Sequence, residues 1–491
     1  MLQTLQRILS RRARTSVQSA SRPIATTSLH VPTPPPPPPP LPRSRPVGDI
    51  SSIFPSLSGR AASTLPARFA EIKQSIISGH EPSLQASWNR LLPVLRNEVD
   101  KIVAHGPSII PSIPFSSLSS ITPAQLASIR QRGCVVVRDV LPKDVALELK
   151  HQAQTYVSLN RARVRAFPAD DPAVYELYWS PPQVAARSHP NVLATQKFLQ
   201  SLWHSSDQRA PLATDIPVTY ADRFRIRHPG DAKFALGPHV DGGSLERWED
   251  PEYRAVYNRI FSGDWERYDP YDAAHRVTAN MDLYEGPGAC SMFRMFQGWL
   301  SLSSTAPGEG TLRLLPAIRE STAYFLLRPF FENGRLQLPP TTTLHGAAIA
   351  AAQEFTTELH PELRLDQSMV SIPKVEPGDY VAWHCDMLHS VDKEHHGESD
   401  SSVFYIPATP LSEGNVRALV HQRDAATSGI PPPDFPGHGE GERGFVGGIN
   451  WNVEGTREMG MGSKGWKVEE GMSVGAKRIV QMANKELGFE Q

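Results

Sequence analysis

The chain is poor in cysteine, nearly free of net charge and without a long apolar run. Its three cysteines are Cys134, Cys290 and Cys385, and no two form a Cys-x-x-Cys pair. That spacing excludes a disulfide framework and a thiolate zinc site, and it suits a reducing compartment. Cys134 and Cys385 lie in apolar, strand-like runs and read as buried, inert thiols. A net charge of −1 provides no global field for nucleic acid or an anionic membrane. No stretch approaches the roughly 20 apolar residues of a membrane helix. Neither nucleic acid nor membrane is therefore an expected partner.

Carboxylates are missing from the start of the chain, where Asp49 is the first acid. Arg7, Arg11, Arg12, Arg14 and Arg22 stand there among Ser and Thr, with Leu2, Leu5, Ile8 and Leu9 at helical spacing. This pattern predicts a mitochondrial transit peptide over residues 1–30; the alternative is a basic tail on a cytoplasmic protein. Residues 34–40 are all proline, which dictates polyproline II. Residues 31–60 are accordingly expected to be a disordered linker, with the folded body starting near Ala61.

What is present is globular: 491 residues, 40% of them hydrophobic, enough for one large domain or two ordinary ones. Residues 67–78 and 85–103 carry apolar side chains at helical spacing, so N-terminal helices are expected within 61–110. Thr122-Pro123 reads as an N-cap followed by a first-turn proline, and Gly133 as the stop of that helix. A β-branched strand from Cys134 and a second helix over 143–158 follow. Strand-like blocks recur at 220–228, 292–303, 311–315, 371–372, 380–384 and 402–406. Arg223, Arg225 and Arg227 alternate with Phe224 and Ile226. The segment 244–285 is rich in aromatic and charged residues and is expected to be a helical insertion over a pocket mouth. Trp248, Tyr253, Tyr257, Trp265 and Tyr268 would form a lid there, or a packing module. Residues 429–448 read as a long loop and 471–491 as a C-terminal helix.

His239-Val240-Asp241 carries the chemistry. Residues i and i+2 of a strand share a face, so both side chains can reach one metal. Pro238 before the pair and Gly242-Gly243 after it mark a strand-to-turn boundary. Two imidazoles and a carboxylate are the ligand set of the facial triad that holds non-haem Fe(II) and leaves positions open. The tripeptide alone is weak, because roughly one His-x-Asp arises by chance in a chain of this length. A rival, His384-Cys385-Asp386, also shares a strand face.

The segment from Glu376-Pro377-Gly378-Asp379 through Trp383-His384 to His389 resembles the distal-ligand strand of the phytanoyl-CoA dioxygenase-like Fe(II)/2-oxoglutarate oxygenases. The wider set is similar to domain-of-unknown-function family 1479. It comprises 237–243, Phe296-Gln297-Gly298-Trp299, 310–316, 383–391 and 431–435, and the likeness spans about 111–466. The resemblance implies an α+β chain with a double-stranded β-helix (jelly-roll, cupin-like) core over 111–470, flanked by helices. It implies Fe(II) on His239, Asp241 and His389, with His384 and Asp386 supporting a ligand or lining the pocket. It further implies 2-oxoglutarate as co-substrate, O₂, and a small-molecule substrate to be hydroxylated. A non-catalytic β-helix protein, or a 2-oxoglutarate-independent metal protein, is the alternative.

The chain departs from that pattern at one point. Related enzymes carry an Arg about ten residues after the distal His to pair with the co-substrate carboxylate. Here Ser399, Asp400, Ser401 and Ser402 stand there, and the next Arg is Arg417. Arg313 is the first substitute expected, Arg294 the next, with Gln297 and Ser402 adding hydrogen bonds. Arg225, Arg227 and Trp248 are the candidate substrate contacts.

Overall fold

A computed structural model of the chain describes residues 45, 48, 50–59, 64–233, 235–437, 440–448, 456, 459–462 and 464–489. All belong to the compact unit Ser44–Gln491. The expected transit peptide and the proline run lie outside the described residues. Among those described, no helix is long and apolar enough to cross a membrane.

The fold is α+β, built on two sheets. In chain order the strands of these two sheets are β1 (Ser112–Pro114), β2 (Cys134–Arg138), β3 (Ala166–Phe167), β4 (Val174–Tyr175), β5 (Phe224–Arg227), β6 (His239–Val240), β7 (Phe296–Ser301) and β8 (Leu312–Leu314). β9 (Gln353–Glu354), β10 (Val370–Ser371), β11 (Tyr380–His384), β12 (His389–Val391) and β13 (Ser401–Tyr405) follow. The larger sheet has the order β1-β2-β11-β7-β13-β5-β4-β3 and the smaller one β9-β6-β12-β8-β10. Among these strands, β1 and β2 alone pair in parallel. The central strands of the large sheet, β7 and β11, are buried along their whole length, so helices and the small sheet cover both faces.

The helical shell follows local signals. Thr122 caps the helix Pro123–Arg132 through a reciprocal bond with Gln125, and Gly133 ends it at φ 71°. The helix Ile318–Leu327 is buried along most of its length, its apolar second half Ala323–Leu327 entirely so, and packs against Glu81–His105. Trp88 from the long helix stacks on Phe331 at 4.5 Å. The C-terminal helix Val474–Glu486 docks Ile479, Val480 and Ala483 into a second apolar cluster with Glu413–Ser428.

Two expectations change. The linker expected to reach residue 60 gives way earlier to a short helical strap, Ile50–Ile53 and Pro55–Ser58, in which Phe54 is buried. The segment 244–285 does form short helices, but it is no lid. Trp248, Tyr253, Tyr257, Trp265 and Tyr268 are all buried in the main core.

Candidate metal centre

β6 and β12 are antiparallel neighbours with His239 directly opposite His389. Both side chains therefore leave the sheet on one face, with ring centroids 4.1 Å apart. Asp241 follows two residues on, on the same side. Its Oδ1 lies 3.6 Å from His239 Nε2 and its Oδ2 3.6 Å from His389 Nε2. The sharp turn after it is obligatory. Gly243 adopts φ 94°, where a Cβ would also meet Tyr253 at 3.0 Å.

The donor set suits a divalent metal. Each imidazole gives its Nδ1–H to a backbone carbonyl: His239 to Gly237 at 2.7 Å and His389 to Met387 at 2.9 Å. A carbonyl only accepts, so Nδ1 carries the proton and each Nε2 lone pair faces the carboxylate. Burial, aided by His389, lowers the His239 pKa to about 4, so that ring is neutral at pH 7. For Asp241, burial opposes ionisation. The polar surroundings, the permanent charge of Arg294 among them, outweigh it and hold the carboxyl ionised. Gln297, with its amide oriented to satisfy both neighbours, donates to Asp241 Oδ2 at 2.8 Å and accepts from Trp383 Nε1 at 3.3 Å.

The triad opens on a cavity of about 100 Å³ between the two sheets. Ile50, Ile53 and Phe54 of the strap, Leu236, Leu312 and Val391 form its apolar wall. Phe54 sets its edge on the His239 ring at 4.8 Å. Arg223, Arg225, Arg294 and Tyr405 supply polar lining.

The family model described as Gig2-like matches residues 63–461. The chain belongs to the Gig2-like family. YbiU of Escherichia coli K12, an uncharacterized protein, is 34% identical over 380 residues, 74% of this chain and 88% of YbiU. The crystal structure of the GlcNAc-inducible gene 2 protein of Candida albicans, also called DUF1479, is 35% identical. It aligns with a TM-score of 0.79 over 87% of this chain and 96% of its own. A Salmonella typhimurium LT2 protein provisionally named an oxidoreductase is 33% identical, with a TM-score of 0.73 over 81% and 98% of the two chains.

In this Gig2-like chain the structure brings His239, Asp241, His389, Gln297, Arg294 and Arg225 to one cavity and leaves the other expected residues outside it. Leu312 of β8 faces the cavity, so Arg313 faces away and donates to the Met369 carbonyl at 2.5 Å. Ser402 pairs with Ile226 on the opposite face and binds Asp400 and Ser303. Arg227 is consumed by Asp231 at 2.6 Å and by the carbonyls of Asp392 and Gly310. Trp248 is core and donates to the Leu326 carbonyl at 3.3 Å. His384 stacks on Trp203 at 4.8 Å and reaches the Pro270 carbonyl instead of a ligand side chain. Asp386 touches no ligand side chain; it pairs with Arg276 at 2.6 Å and Arg247 at 3.7 Å. Sequence reasoning missed Phe54 and Tyr405. The spacing of Ile50, Ile53 and Phe54 was the one available signal for the strap.

Proposed function

We propose that this Gig2-like protein is a non-haem Fe(II)- and 2-oxoglutarate-dependent oxygenase of a small molecule, and that its facing sheets are a double-stranded β-helix. The observation that carries the reading is the convergence of His239, Asp241 and His389, with both imidazoles held in the ligating tautomer, on one cavity. Fe(II) bound by these three, with 2-oxoglutarate and O₂, would supply an oxidation coupled to release of succinate and CO₂.

The protein's own groups have separable tasks. Gln297 fixes the Asp241 carboxylate, and Trp383 fixes Gln297. The apolar wall excludes water. Arg225 takes the remote carboxylate of the co-substrate. It projects from β5 beside β13, with Val403 as its Cα partner. It is buried, pairs with no carboxylate among the described residues, and leaves its Nε without a partner. A buried guanidinium in that state favours a carboxylate strongly. The Salmonella relative's name agrees with a redox role.

Anaerobic addition of Fe(II) and then 2-oxoglutarate tests this. A weak visible charge-transfer band is expected, because both must chelate one iron to give it. Stoichiometric iron without the band would replace this reading with a 2-oxoglutarate-independent metal protein.

A further inference from the structure

We propose that Arg294 is the recognition residue for the organic substrate, and that the substrate presents an anionic oxyacid group, carboxylate or phosphate. The inference rests on the oxygenase reading above and deepens it.

Three guanidinium groups line the cavity, and their counter-charges differ. Arg223 is neutralised by Asp222 at 3.0 Å and lies over Phe435 at 4.3 Å. Arg225 is matched by the remote carboxylate of 2-oxoglutarate. Arg294 remains. It is 7% exposed, and no ion pair or hydrogen bond engages it among the described residues. Its guanidinium rests 5.5 Å over the Tyr220 ring, which leaves the edge nitrogens free for in-plane bonds.

Asp241 and Asp222 favour the Arg294 charge from a distance, but neither bonds to it. The Tyr220 phenol donates its proton to Asp434 at 2.9 Å and stays neutral. Cys290 lines the same cavity as a neutral thiol, with burial raising its pKa to about 12. Asp222 serves Arg223, and Asp241 serves the triad. A buried guanidinium whose donors bond to nothing is costly, and a ligand carboxylate or phosphate is the chemistry that engages them with paired bonds. One 2-oxoglutarate spends one carboxylate at the metal and the other on Arg225. The second unmatched guanidinium therefore calls for a second anion, which the substrate brings.

The test uses the full chain loaded anaerobically with Fe(II) and 2-oxoglutarate. Phenylacetate, glycolate and phenyl phosphate are the anionic probes; phenylacetamide and benzyl alcohol are the neutral counterparts. Thermal stabilisation and perturbation of the charge-transfer band are read together. At least one anion is expected to act, with carboxylate or phosphate distinguished by which acts at lower concentration, and the neutral probes are expected to do nothing. Arg294→Gln should weaken the response at least tenfold while keeping the 2-oxoglutarate band, and Arg294→Lys should restore part of it. Neutral probes as effective as anions, no anion effect in the wild type, or an unchanged response in Arg294→Gln would overturn the proposal. Loss of the band in Arg294→Gln would also overturn it, by assigning Arg294 to the co-substrate. If the wild type gives no band at all, the oxygenase reading fails on its own, and the thermal response of iron-loaded protein still scores Arg294.

Discussion

Asp386 and Arg247 form a fully buried pair, 3.7 Å apart, that ends on the backbone of the candidate metal centre. Arg247 donates to the Asp241 carbonyl at 2.9 Å and to the Gly243 carbonyl at 2.5 Å. Arg276 at 2.6 Å and the Tyr257 hydroxyl at 3.0 Å complete the surroundings of Asp386. The rival His-x-Asp motif thus supports the turn that carries the other.

Asp386→Asn should be strongly destabilising, because it leaves Arg247 and Arg276 buried without their common counter-charge. Breaking such a pair costs about 3–5 kcal/mol. Urea unfolding at pH 7 checks this, and an unchanged midpoint and slope would show that the pair carries no weight.

Mild acid should destabilise the fold through its buried imidazoles. Burial lowers His360 and His384 to about 3 and His345 to about 4. Below about pH 6.5 the unfolded chain takes up protons that these folded imidazoles refuse. Stability is therefore complete above that pH and falls as pH drops from about 6.5 towards 4, by several kcal/mol in total. Unfolding series at pH 7, 5.5 and 4.5 measure it; a flat profile would contradict neutral burial of these rings.

Phe54→Ala should loosen the strap over His239. Truncating a buried Phe costs about 3 kcal/mol or more, and here it also opens the cavity wall. Iron-loaded Phe54→Ala is expected to lose metal to an external chelator several-fold faster than wild type. Equal rates would mean that the strap does not guard the site.

Arg225→Gln should weaken 2-oxoglutarate binding tenfold or more, at least about 1.4 kcal/mol, whereas Arg313→Gln should change it less than about twofold. Spectral titration of the iron-loaded variants decides between them. The reverse pattern would restore Arg313 as the anchor, despite the direction it faces.

The triad and Arg313 show where sequence reading reaches the structure and where it stops. His239 and Asp241 are legible because strand alternation and the flanking Pro and Gly residues fix their common face. His389 follows from its resemblance to a distal-ligand strand. Arg313 fails by one step of the same alternation, since nothing local says that Leu312 faces inward. Arg225 and Arg227 share a strand face, yet Asp231 takes up the second. The strap is hidden because Ile50, Ile53 and Phe54 follow a proline-rich tract and find their partners on distant strands. Trp248 and its aromatic neighbours read alike as lid or core until tertiary contacts choose core.

Iron content of purified variants tests the central claim most directly. About one Fe(II) per chain is expected in the wild type and in His384→Ala, and less than about a tenth of that in His239→Ala, Asp241→Ala and His389→Ala. Iron retained by His389→Ala, or lost from a folded His384→Ala, would contradict the assignment of the centre to His239, Asp241 and His389.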